Sequence, residues 1–427
     1  MKRASWIMVV ATVVLSSLAA AEWPQFRGPN SSGIGDGKPP VEFGPSQNVL
    51  WKTAVGSGLS SPIIAKGRVF LTEFDRATKQ LATLCIDQRT GKILWRRPVA
   101  PPEIEKVHEI SSPAAPTPAT DGERVYVYFG SYGLVSYDLD GKVLWERRLP
   151  LPQNIYGAVA SPIVAGDLVV LNHQGKEAYL LGVNHRDGKT VWKTDRSQFQ
   201  YGWSTPVYWR HDGIDEIVVL GGDFGPNQRL MAYNLADGAE RWWVAGLPPC
   251  GKSTPVIGGG MVFLAAPDII MDVEAEKRNP ERAAQIYANN ASRVMAIRPG
   301  GKGEVNQTHV AWSEHKGTPG VPSPLYYNGR LYTVQNGGIV FSRVAKTGEL
   351  VYSGRMGALG YYYSSPVAAD NKIYFASEEG VVIVLDGGEE LKVLARNKLD
   401  GQILATPAIV DGKIYVRTED HLYAFGR

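Results

Sequence analysis

The sequence predicts an all-β protein, an eight-bladed β-propeller built from four-stranded antiparallel blades. Among the Ser-Pro and Thr-Pro pairs of the 427 residues, eight form a repeating series with 41 to 69 residues between successive prolines. A period of about 40–45 residues built from short β-runs is typical of propeller blades. The eight pairs are Ser61-Pro62, Thr117-Pro118, Ser161-Pro162, Thr205-Pro206, Thr254-Pro255, Ser323-Pro324, Ser365-Pro366 and Thr406-Pro407.

Each repeat contains the segments expected of four strands. The proline is followed by an apolar residue, then by a glycine turn such as Lys66-Gly67, and then by an alternating run such as 68–71. A third apolar run follows, and a turn such as Asp140-Gly141 leads into the fourth run. Alternation beside turn residues predicts strands, and Asx-Gly pairs favour tight hairpins between them.

An aromatic residue stands at a constant offset in the fourth run of most repeats. A large ring buries roughly 150–250 Å², so we expect one ring per blade to pack against the neighbouring blade rather than to bind a ligand. Proline lacks an N–H and is confined to strand starts and sheet edges, which places the Ser/Thr-Pro pairs on the innermost strands. The residues at this offset are Trp95, Trp145, Trp192, Trp242 and Trp312, with Tyr352 and Leu394 in the weaker repeats.

The last repeat lacks a fourth strand of its own, because the chain ends at Arg427 just after the run 422–425. A strand-like run that contains Trp51 precedes the first repeat, at 48–52. We therefore predict that residues 48–53 complete blade eight beside residues 421–426. Such closure leaves no unpaired final sheet.

Residues 1–21 have the composition of a secretory signal peptide, with Lys2 and Arg3, an apolar run over 6–15 and a small-residue end at 19–21. The apolar run is too short for a membrane span. No cysteine stands near the expected cleavage site. We therefore expect an exported, periplasmic or extracellular protein without a lipid anchor, in which residues 22–427 form one propeller domain.

Charge and cysteine content exclude few functions. Without Lys2 and Arg3, 43 basic and 42 acidic residues leave a net charge of +1, which gives no argument for nucleic acid or an anionic membrane as a partner. We expect a monomer. Cys85 and Cys250 fall in repeats several blades apart. A disulfide needs Cα atoms within about 7 Å, so this pairing is disfavoured but stays open.

One interval is lengthened by an insertion over 268–290, between the second and third strands of blade five. Asn279-Pro280-Glu281 has the pattern of an N-cap, a proline at the first helical position and an acidic first turn. This pattern predicts a short helix. The helix is either a decoration of the loop or a lid or docking element on the mouth of the propeller.

The combination of Asp/Thr-Gly-Lys-x-x-Trp turns, Ser/Thr-Pro inner strands and eight repeats resembles the pyrroloquinoline-quinone-like propeller superfamily. This group includes the quinoprotein alcohol dehydrogenases and the outer-membrane assembly factor BamB. The resemblance covers residues 48–427 and implies the fold more than the function, because the residues that carry it are structural. Residues 23–30 also resemble a secreted branch of the superfamily.

The dehydrogenases of this superfamily resemble one another in a Ca²⁺ site and in adjacent cysteines over the quinone. In this chain Cys85 and Cys250 stand 165 positions apart, and the sequence contains no Cys-x-x-Cys-His haem motif. No stretch has the several converging oxygens that Ca²⁺ requires. We therefore expect neither pyrroloquinoline quinone nor Ca²⁺ as a cofactor, no catalytic or metal-binding residue, and no quinone-dependent dye reduction.

The loops before the inner strands and after the second strands are expected to meet at one mouth of the channel. Residues from distant repeats can surround one ligand there. Aromatic platforms beside polar groups suit stacking on a sugar or a flat ligand, whereas the alternative is that the tyrosines fill the funnel and bond across it. The candidate binding residues are Arg76, His108, Asn154, Tyr156, His173, Tyr201, Trp203, Asp223, Lys252, Asn336, Tyr361 and Tyr362.

Three functions are compatible with this sequence. The first is a non-catalytic scaffold that binds a protein partner, as the resemblance to BamB implies. The second is a small-molecule or glycan-binding propeller, with or without enzymatic activity, and the third is a quinoprotein dehydrogenase. The absence of a Ser-His-Asp order, a histidine cluster or a phosphate loop favours a non-catalytic protein.

Overall fold

The computed structural model describes residues 22–222, 228–248, 251–266, 281 and 292–427. Eight sheets follow one another around a central channel in this part of the chain, which confirms the predicted eight-bladed propeller. The predicted signal peptide, Asp223 and Cys250 lie outside the described residues, as does the insertion 268–290 apart from Glu281. None of the helices in these ranges is long and apolar enough to cross a membrane.

In each of the first four blades, four strands of the repeat follow one another from the channel outward. Blade one consists of β2 (Ile63–Ala65), β3 (Arg68–Asp75), β4 (Gln80–Asp87) and β5 (Ile93–Val99). Blade two consists of β6 (Ala119–Thr120), β7 (Arg124–Phe129), β8 (Gly133–Asp138) and β9 (Val143–Arg148). Blade three consists of β10 (Ile163–Ala165), β11 (Leu168–His173), β12 (Tyr179–Asn184) and β13 (Thr190–Asp195). Blade four consists of β14 (Val207–His211), β15 (Ile214–Gly221), β16 (Gln228–Asn234) and β17 (Glu240–Leu247).

The remaining blades repeat this order. Blade five consists of β18 (Val256–Gly258), β19 (Met261–Ala266), β20 (Arg293–Ile297) and β22 (Val310–Glu314). Blade six consists of β23 (Leu325–Tyr327), β24 (Arg330–Gln335), β25 (Ile339–Val344) and β26 (Leu350–Arg355). Blade seven consists of β27 (Val367–Ala369), β28 (Lys372–Ala376), β29 (Val381–Asp386) and β30 (Val393–Lys398). Blade eight consists of β31 (Ala408–Val410), β32 (Lys413–Arg417), β33 (His421–Phe425) and the N-terminal β1 (Val49–Ala54).

The N-terminal strand closes the ring as predicted. β1 pairs antiparallel with β33, and Trp51 stands opposite Ala424 in the register. The first strand of the chain is therefore the outermost strand of the last blade. The two ends of the chain depend on each other for their backbone hydrogen bonds.

The apolar core lies between neighbouring blades, since each sheet packs on the next one. In one buried cluster Trp209 and Val244 of blade four pack with Val262 and Ile297 of blade five. Another cluster joins blades seven, eight and one. Most middle strands are buried along nearly their whole length, for example β11, because both of their faces contact another sheet.

A closed circle of hydrogen bonds joins the eight Ser/Thr-Pro pairs. The backbone N–H of each Ser or Thr donates to the hydroxyl of its counterpart in the next blade, at N–O distances of 2.9–3.2 Å. The eighth bond runs from Thr406 to Ser61 and completes the circle at 3.0 Å. We call these eight residues the hydroxyl ring. The hydroxyl that accepts this bond accounts for the Ser or Thr in each repeat of the motif.

A second set of contacts joins the outer strands. The indole Nε1 of Trp51 donates to the carbonyl of Gln88 in the next blade at 3.0 Å. Trp95, Trp145, Trp192 and Trp312 make the equivalent bond at 2.8–3.1 Å, which agrees with their predicted structural role. The glycine of the next Asp-Gly or Thr-Gly turn lies against the same indole. This turn therefore needs glycine for close packing as well as for its positive φ.

Blade four departs from this pattern at Trp242, whose Nε1 donates to Glu216 in its own sheet at 3.1 Å. Arg241 and His211 also bond to this fully buried carboxylate, at 2.6 and 3.0 Å. The corresponding loop of blade five forms β21 (Gly303–Glu304), which pairs in parallel with β17. Blade four thus has one short strand more than the predicted four.

Two sets of loops open at the same face of the ring, because adjacent strands of a blade run in opposite directions. One set connects the second and third strands, and the other leads from an outer strand to the next inner strand. We call this face the mouth. The turns between first and second strands, and between third and fourth strands, lie at the opposite face.

Residues 22–36, which we call the plug, cross the channel and pair with the inner strands. Trp23 exchanges both backbone bonds with Ile64 of blade one, at 2.8 and 2.9 Å. Ile34 forms a parallel bridge with Ala368 of blade seven. Asp36 accepts bonds from the Asp411-Gly412 turn at the face opposite the mouth. No sequence pattern indicated this plug, which supplies partners to the inner edges of distant blades.

The chain then passes between blades seven and eight toward β1. The N–H of Phe43 donates to Asn397 Oδ1 at 3.0 Å, and Asn397 Nδ2 donates to the Val41 carbonyl at 2.9 Å. The ring of Phe43 packs on Phe425 of β33, with 4.7 Å between centroids. The N-terminal region therefore binds both the channel and the closing seam.

Removing one acceptor from the hydroxyl ring should destabilise the whole propeller. Thr117→Val keeps the shape of the side chain but leaves the buried N–H of Ser61 without its 2.9 Å bond. We expect a loss of about 1–3 kcal/mol in the free energy of unfolding, measured by denaturant titration. Thr117→Ser retains the acceptor and should lose much less. Equal stability of the two variants would contradict this role for the ring.

The glycine-indole contact can be separated from backbone strain with two matched substitutions. A Cβ on Gly188 (φ 69°) would lie 2.6 Å from the Trp145 ring, whereas a Cβ on Gly213 (φ 75°) would meet nothing within 4 Å. Gly213→Ala should cost about 1–2 kcal/mol from its left-handed backbone alone. Gly188→Ala should cost roughly 1–3 kcal/mol more, because it overpacks the seam. If denaturant titrations gave similar losses of unfolding free energy for the two variants, the Trp145 indole would move aside at little cost, which would contradict this prediction.

Candidate functional site

The mouth brings together aromatic residues from loops that belong to different blades. Tyr156 and Trp203 meet nearly perpendicular, with 5.0 Å between ring centroids, and Tyr201 lies 6.0 Å from Trp203. His108 lies 5.5 Å from Tyr156. We call these four residues the mouth aromatic cluster. They come from the loops that enter three consecutive blades, blades two, three and four.

Two further predicted residues, Asn154 and Lys252, lie beside this cluster. Asn154 Oδ1 accepts a bond from the N–H of Tyr156 at 3.0 Å and one from the indole of Trp203 at 3.3 Å. Lys252 places its Nζ 5.9 Å from the centre of the Tyr156 ring. Asn154 therefore fixes the relative orientation of the two rings, and Lys252 adds a positive charge beside them.

The loop that enters blade seven faces this cluster across the mouth. Its Tyr361 and Tyr363 stack with 6.2 Å between centroids. Burial raises the pKa of Tyr363 to about 12, and neighbouring Glu378, Tyr361 and Tyr156 add to the shift. Tyr156 and Tyr363 lie on loops that enter opposite blades of the ring, blades three and seven, and we call the rings on these two loops the aromatic surface. Tyr363 was not among the predicted binding residues.

A polar cavity of about 420 Å³ opens beside the aromatic surface, between blades seven, eight, one and two. Charged residues line it: the predicted Arg76, together with Glu109, Glu378, Arg417 and Glu419. It adjoins the aromatic surface in two places. The hydroxyl of Ser111 donates to the Tyr156 carbonyl at 2.7 Å, and the N–H of Glu378 donates to the Tyr361 carbonyl at 2.9 Å. Cavity and aromatic surface are therefore one continuous site.

Arg417 forms a rigid wall of this cavity. Its guanidinium is buried and donates to the carbonyls of Ser60, Thr72 and Gly56, each at 3.0 Å. Burial lowers the pKa of Arg417 to about 10, so it stays charged at neutral pH. Its bonds hold the loop that enters blade one, which places Arg417 in a positioning role.

Three predicted binding residues instead support the loops from within. His173 stacks on Tyr179 at 4.4 Å and bonds to the Pro150 carbonyl at 2.9 Å, and burial lowers its pKa. Tyr362 is 1% exposed and donates its hydroxyl to the Ala358 carbonyl at 3.0 Å. Asn336 accepts a bond from the N–H of Tyr362 at 3.0 Å. These side chains fix the loops and leave the exposed surface to their neighbours.

A buried carboxyl group, Glu105, lies under the mouth loops and was not among the predicted residues. Its Oε2 accepts a bond from the N–H of Ala158 at 2.9 Å, and its N–H donates to Ser131 Oγ at 3.0 Å. Burial raises its pKa to about 8 against the weaker opposing effect of the Ala158 bond. Glu105 therefore joins three mouth loops mainly as a neutral acid at neutral pH.

The described mouth residues provide several kinds of group that can hold a ligand. No group of three or more His, Cys, Asp or Glu side chains that could hold a metal ion occurs in the described ranges. Cys85 is buried in β4 as a free thiol, and burial raises its pKa to about 12. The site offers ring faces and edges, backbone groups and charges of both signs. Such a set holds ligands by stacking, hydrogen bonds and ion pairs.

Eight blades joined by a Ser/Thr-Pro ring and a Trp-Gly seam define a propeller of the pyrroloquinoline-quinone-like class. The family model described as "Outer membrane protein assembly factor BamB" matches residues 44–178, 82–208 and 176–391. The chain belongs to this family. No curated protein sequence matches it at a significant level.

Solved structures of BamB and of dehydrogenases share the fold. BamB from Moraxella catarrhalis is 14% identical with a TM-score of 0.58, covering 88% of this chain and 98% of its own. A europium-containing methanol dehydrogenase is 11% identical with a TM-score of 0.69, covering 95% and 98%. The quinohemoprotein alcohol dehydrogenase from Comamonas testosteroni is 11% identical with a TM-score of 0.64, covering 95% and 81%. At these identities the likeness establishes the fold alone.

The stability of the mouth loops should depend on pH through Glu105. Its folded pKa of about 8 lies above the ordinary value of 4.5, so the folded state binds the extra proton between these pH values. Stability should therefore fall as pH rises from about 5 to 8. Glu105→Gln keeps a neutral side chain, so its stability relative to the wild type should increase across this range in urea titrations. Glu103→Gln, at an exposed position, is the control. If the difference in unfolding free energy between E105Q and wild type did not change with pH, Glu105 would not be the source of the pH dependence.

Proposed function

We propose that the protein is a non-catalytic binding propeller that holds a segment of a protein partner across its mouth. One observation carries this proposal: Ile155, Leu359 and Tyr361 are 51%, 61% and 54% exposed on two mouth loops that face each other. Exposed large apolar side chains on loops held by a rigid scaffold are typical of interaction sites. Each of the two loops is anchored by a buried neighbour, Trp203 under one and Tyr362 under the other.

The adjoining cavity provides charged and polar groups beside these exposed apolar side chains. Arg76 and Glu109 provide charges of opposite sign at its edge, and Glu378, whose pKa is raised by burial and by Glu379, lies between cavity and tyrosines. Protein interfaces commonly combine an apolar centre with a polar rim. A bound segment would bury Tyr361 and Ile155 and place its polar groups toward the cavity.

The family and the N-terminal composition support the same function. The matching family model is named for an assembly factor, BamB, whose name describes a role in assembly rather than a reaction. The signal-peptide-like composition of residues 1–21 supports action outside the cytoplasm. We propose a monomeric exported scaffold.

Quinone-dependent redox chemistry is not part of this proposal. The sequence has no adjacent cysteines. Trp203 is 4% exposed and packs edge-on against Tyr156, so it does not offer the open face on which a flat cofactor would stack. The described carboxylates do not converge into a set of oxygens that Ca²⁺ would need. These features of the described residues support a function without pyrroloquinoline quinone or its metal.

A second candidate, glycan binding, is favoured by the link between the cavity and the aromatic surface. Ser111 lines the cavity and bonds to Tyr156, so ring edges and hydrogen-bonding groups stand side by side. Sugars are held by this combination of aromatic contact and polar groups. The two candidates use the same surface and differ in the class of ligand.

A displayed random peptide library and an oligosaccharide array distinguish these candidates. We expect the library to enrich peptides whose affinity falls at least about tenfold in the double variant Ile155→Ala, Tyr361→Ala, because an exposed anchor of this type contributes more than about 1.4 kcal/mol. Leu94→Ala is the matched control, since Leu94 is 46% exposed on the outer strand of blade one.

Array binding that depends on Tyr361, with no enriched peptides, would instead establish the glycan candidate. Peptides that lose affinity in L94A and retain it in the double variant would place the interaction on the outer edge and contradict a mouth site.

A further inference from the structure

Arg27 of the plug carries a buried charge without an acidic partner. Its side chain is 0% exposed, and its Nη2 donates to the Pro324 carbonyl at 2.7 Å. Its Nε and Nη1 have no hydrogen-bond partner in the described part of the chain. Burial lowers the pKa of Arg27 to about 9, so the guanidinium remains charged at neutral pH, and no carboxylate contributes to this shift.

The guanidinium lies next to the hydroxyl ring. Pro324, which accepts its bond, directly follows Ser323 of the ring. Gly33 packs between the guanidinium and blade seven: a Cβ there would stand 3.0 Å from Nη2 and 3.1 Å from the Pro366 carbonyl. Pro366 directly follows Ser365 of the ring. Arg27 is thus held at the level of the inner strands, on the plug side of the ring.

The hydroxyl ring adds donors to the same end of the channel. Each of its eight hydroxyls accepts one backbone bond and keeps its own hydrogen, and all eight residues are only 2–3% exposed. None of these hydroxyls donates to an acceptor within the described residues, so they remain available as donors. A buried site with one guanidinium, several free O–H groups and no carboxylate beside the guanidinium matches an anion.

We propose that the central channel binds a small inorganic anion, a halide or a small oxoanion, between Arg27 and the hydroxyl ring. The site is independent of the ligand held at the mouth. It explains why a plug that carries an unpaired guanidinium is stable inside the channel, since an uncompensated buried charge is strongly destabilising. The bound anion neutralises Arg27 and fastens the plug to blades six and seven.

The backbone of the plug is bent around this side chain. Arg27, Asn30 and Ser31 have φ angles of 62°, 48° and 54°, which non-glycine residues rarely adopt. Strain of this kind persists where surrounding contacts over-determine it. The contacts that hold Arg27 in place are the plug's own pairing with the inner strands and, by this proposal, the anion.

The test uses the full mature protein and anions at constant ionic strength. Replacing gluconate by chloride, bromide or phosphate should raise the melting temperature of the wild type saturably, by on the order of 2–3 °C for at least one of them. Arg27→Met should abolish this rise. Arg196→Met is the matched control, because Arg196 is equally buried but bonds to Asn172 and to the Leu220 carbonyl; its response should match the wild type.

Bromide-soaked crystals of the wild type give a second measurement that does not depend on the variants folding. An anomalous peak within hydrogen-bonding distance of the Arg27 guanidinium supports the site. Three results would overturn the proposed anion site. The first is a melting-temperature rise that is the same in R27M and wild type, and the second is the lack of a saturable rise with any of the three anions. The third is a crystal structure in which only water lies next to Arg27 in the channel. Neither the melting-temperature test nor the crystal test depends on whether peptides or glycans bind at the mouth.

Discussion

The circle of eight hydrogen bonds in the hydroxyl ring is the constraint on which the propeller depends. The inner strands have only two or three residues, except for the five residues of β14, so their sheets contribute few backbone bonds near the axis. The ring connects each blade to the next where the sheets themselves cannot. Because the bond from Thr406 to Ser61 closes the circle, every blade is bonded to both of its neighbours. At the outer edge, β1 joins the two ends of the chain in blade eight.

This division between axis and edge frees the mouth loops to vary. Backbone position near the channel is set by the ring, and blade spacing is set by the indole contacts of residues such as Trp145. The loops between these anchors can then carry exposed side chains, such as Tyr361, without a cost to the sheets. The plug covers the opposite end of the channel, so the mouth is the face on which the propeller presents loops from many blades together.

Repetition decided how much could be predicted from the sequence. The Ser/Thr-Pro pairs and Asx-Gly turns recur, and their agreement placed even the single strand at Trp51 correctly. The plug has no repeat, and residues such as Arg27 contact blades about 300 positions away, so no local pattern indicated it. In the mouth, loop position was predictable but side-chain direction was not. Tyr362 is buried although the tyrosines on either side of it are more exposed. Glu105 is a single acidic residue in a loop, and no pattern in the sequence around it indicates that its side chain is buried.

The buried arginines show how this fold treats charge near its axis. Arg196 and Arg417 give their N–H groups chiefly to carbonyl and amide oxygens of second strands and of the loops beside them. Such oxygens are available because short inner strands and long connecting loops leave many carbonyls outside the sheet ladders. Arg27 instead donates to a single carbonyl, that of Pro324, and its Nε and Nη1 have no partner among the residues that the structure describes. By the proposal above, the bound anion is the partner of these remaining donors.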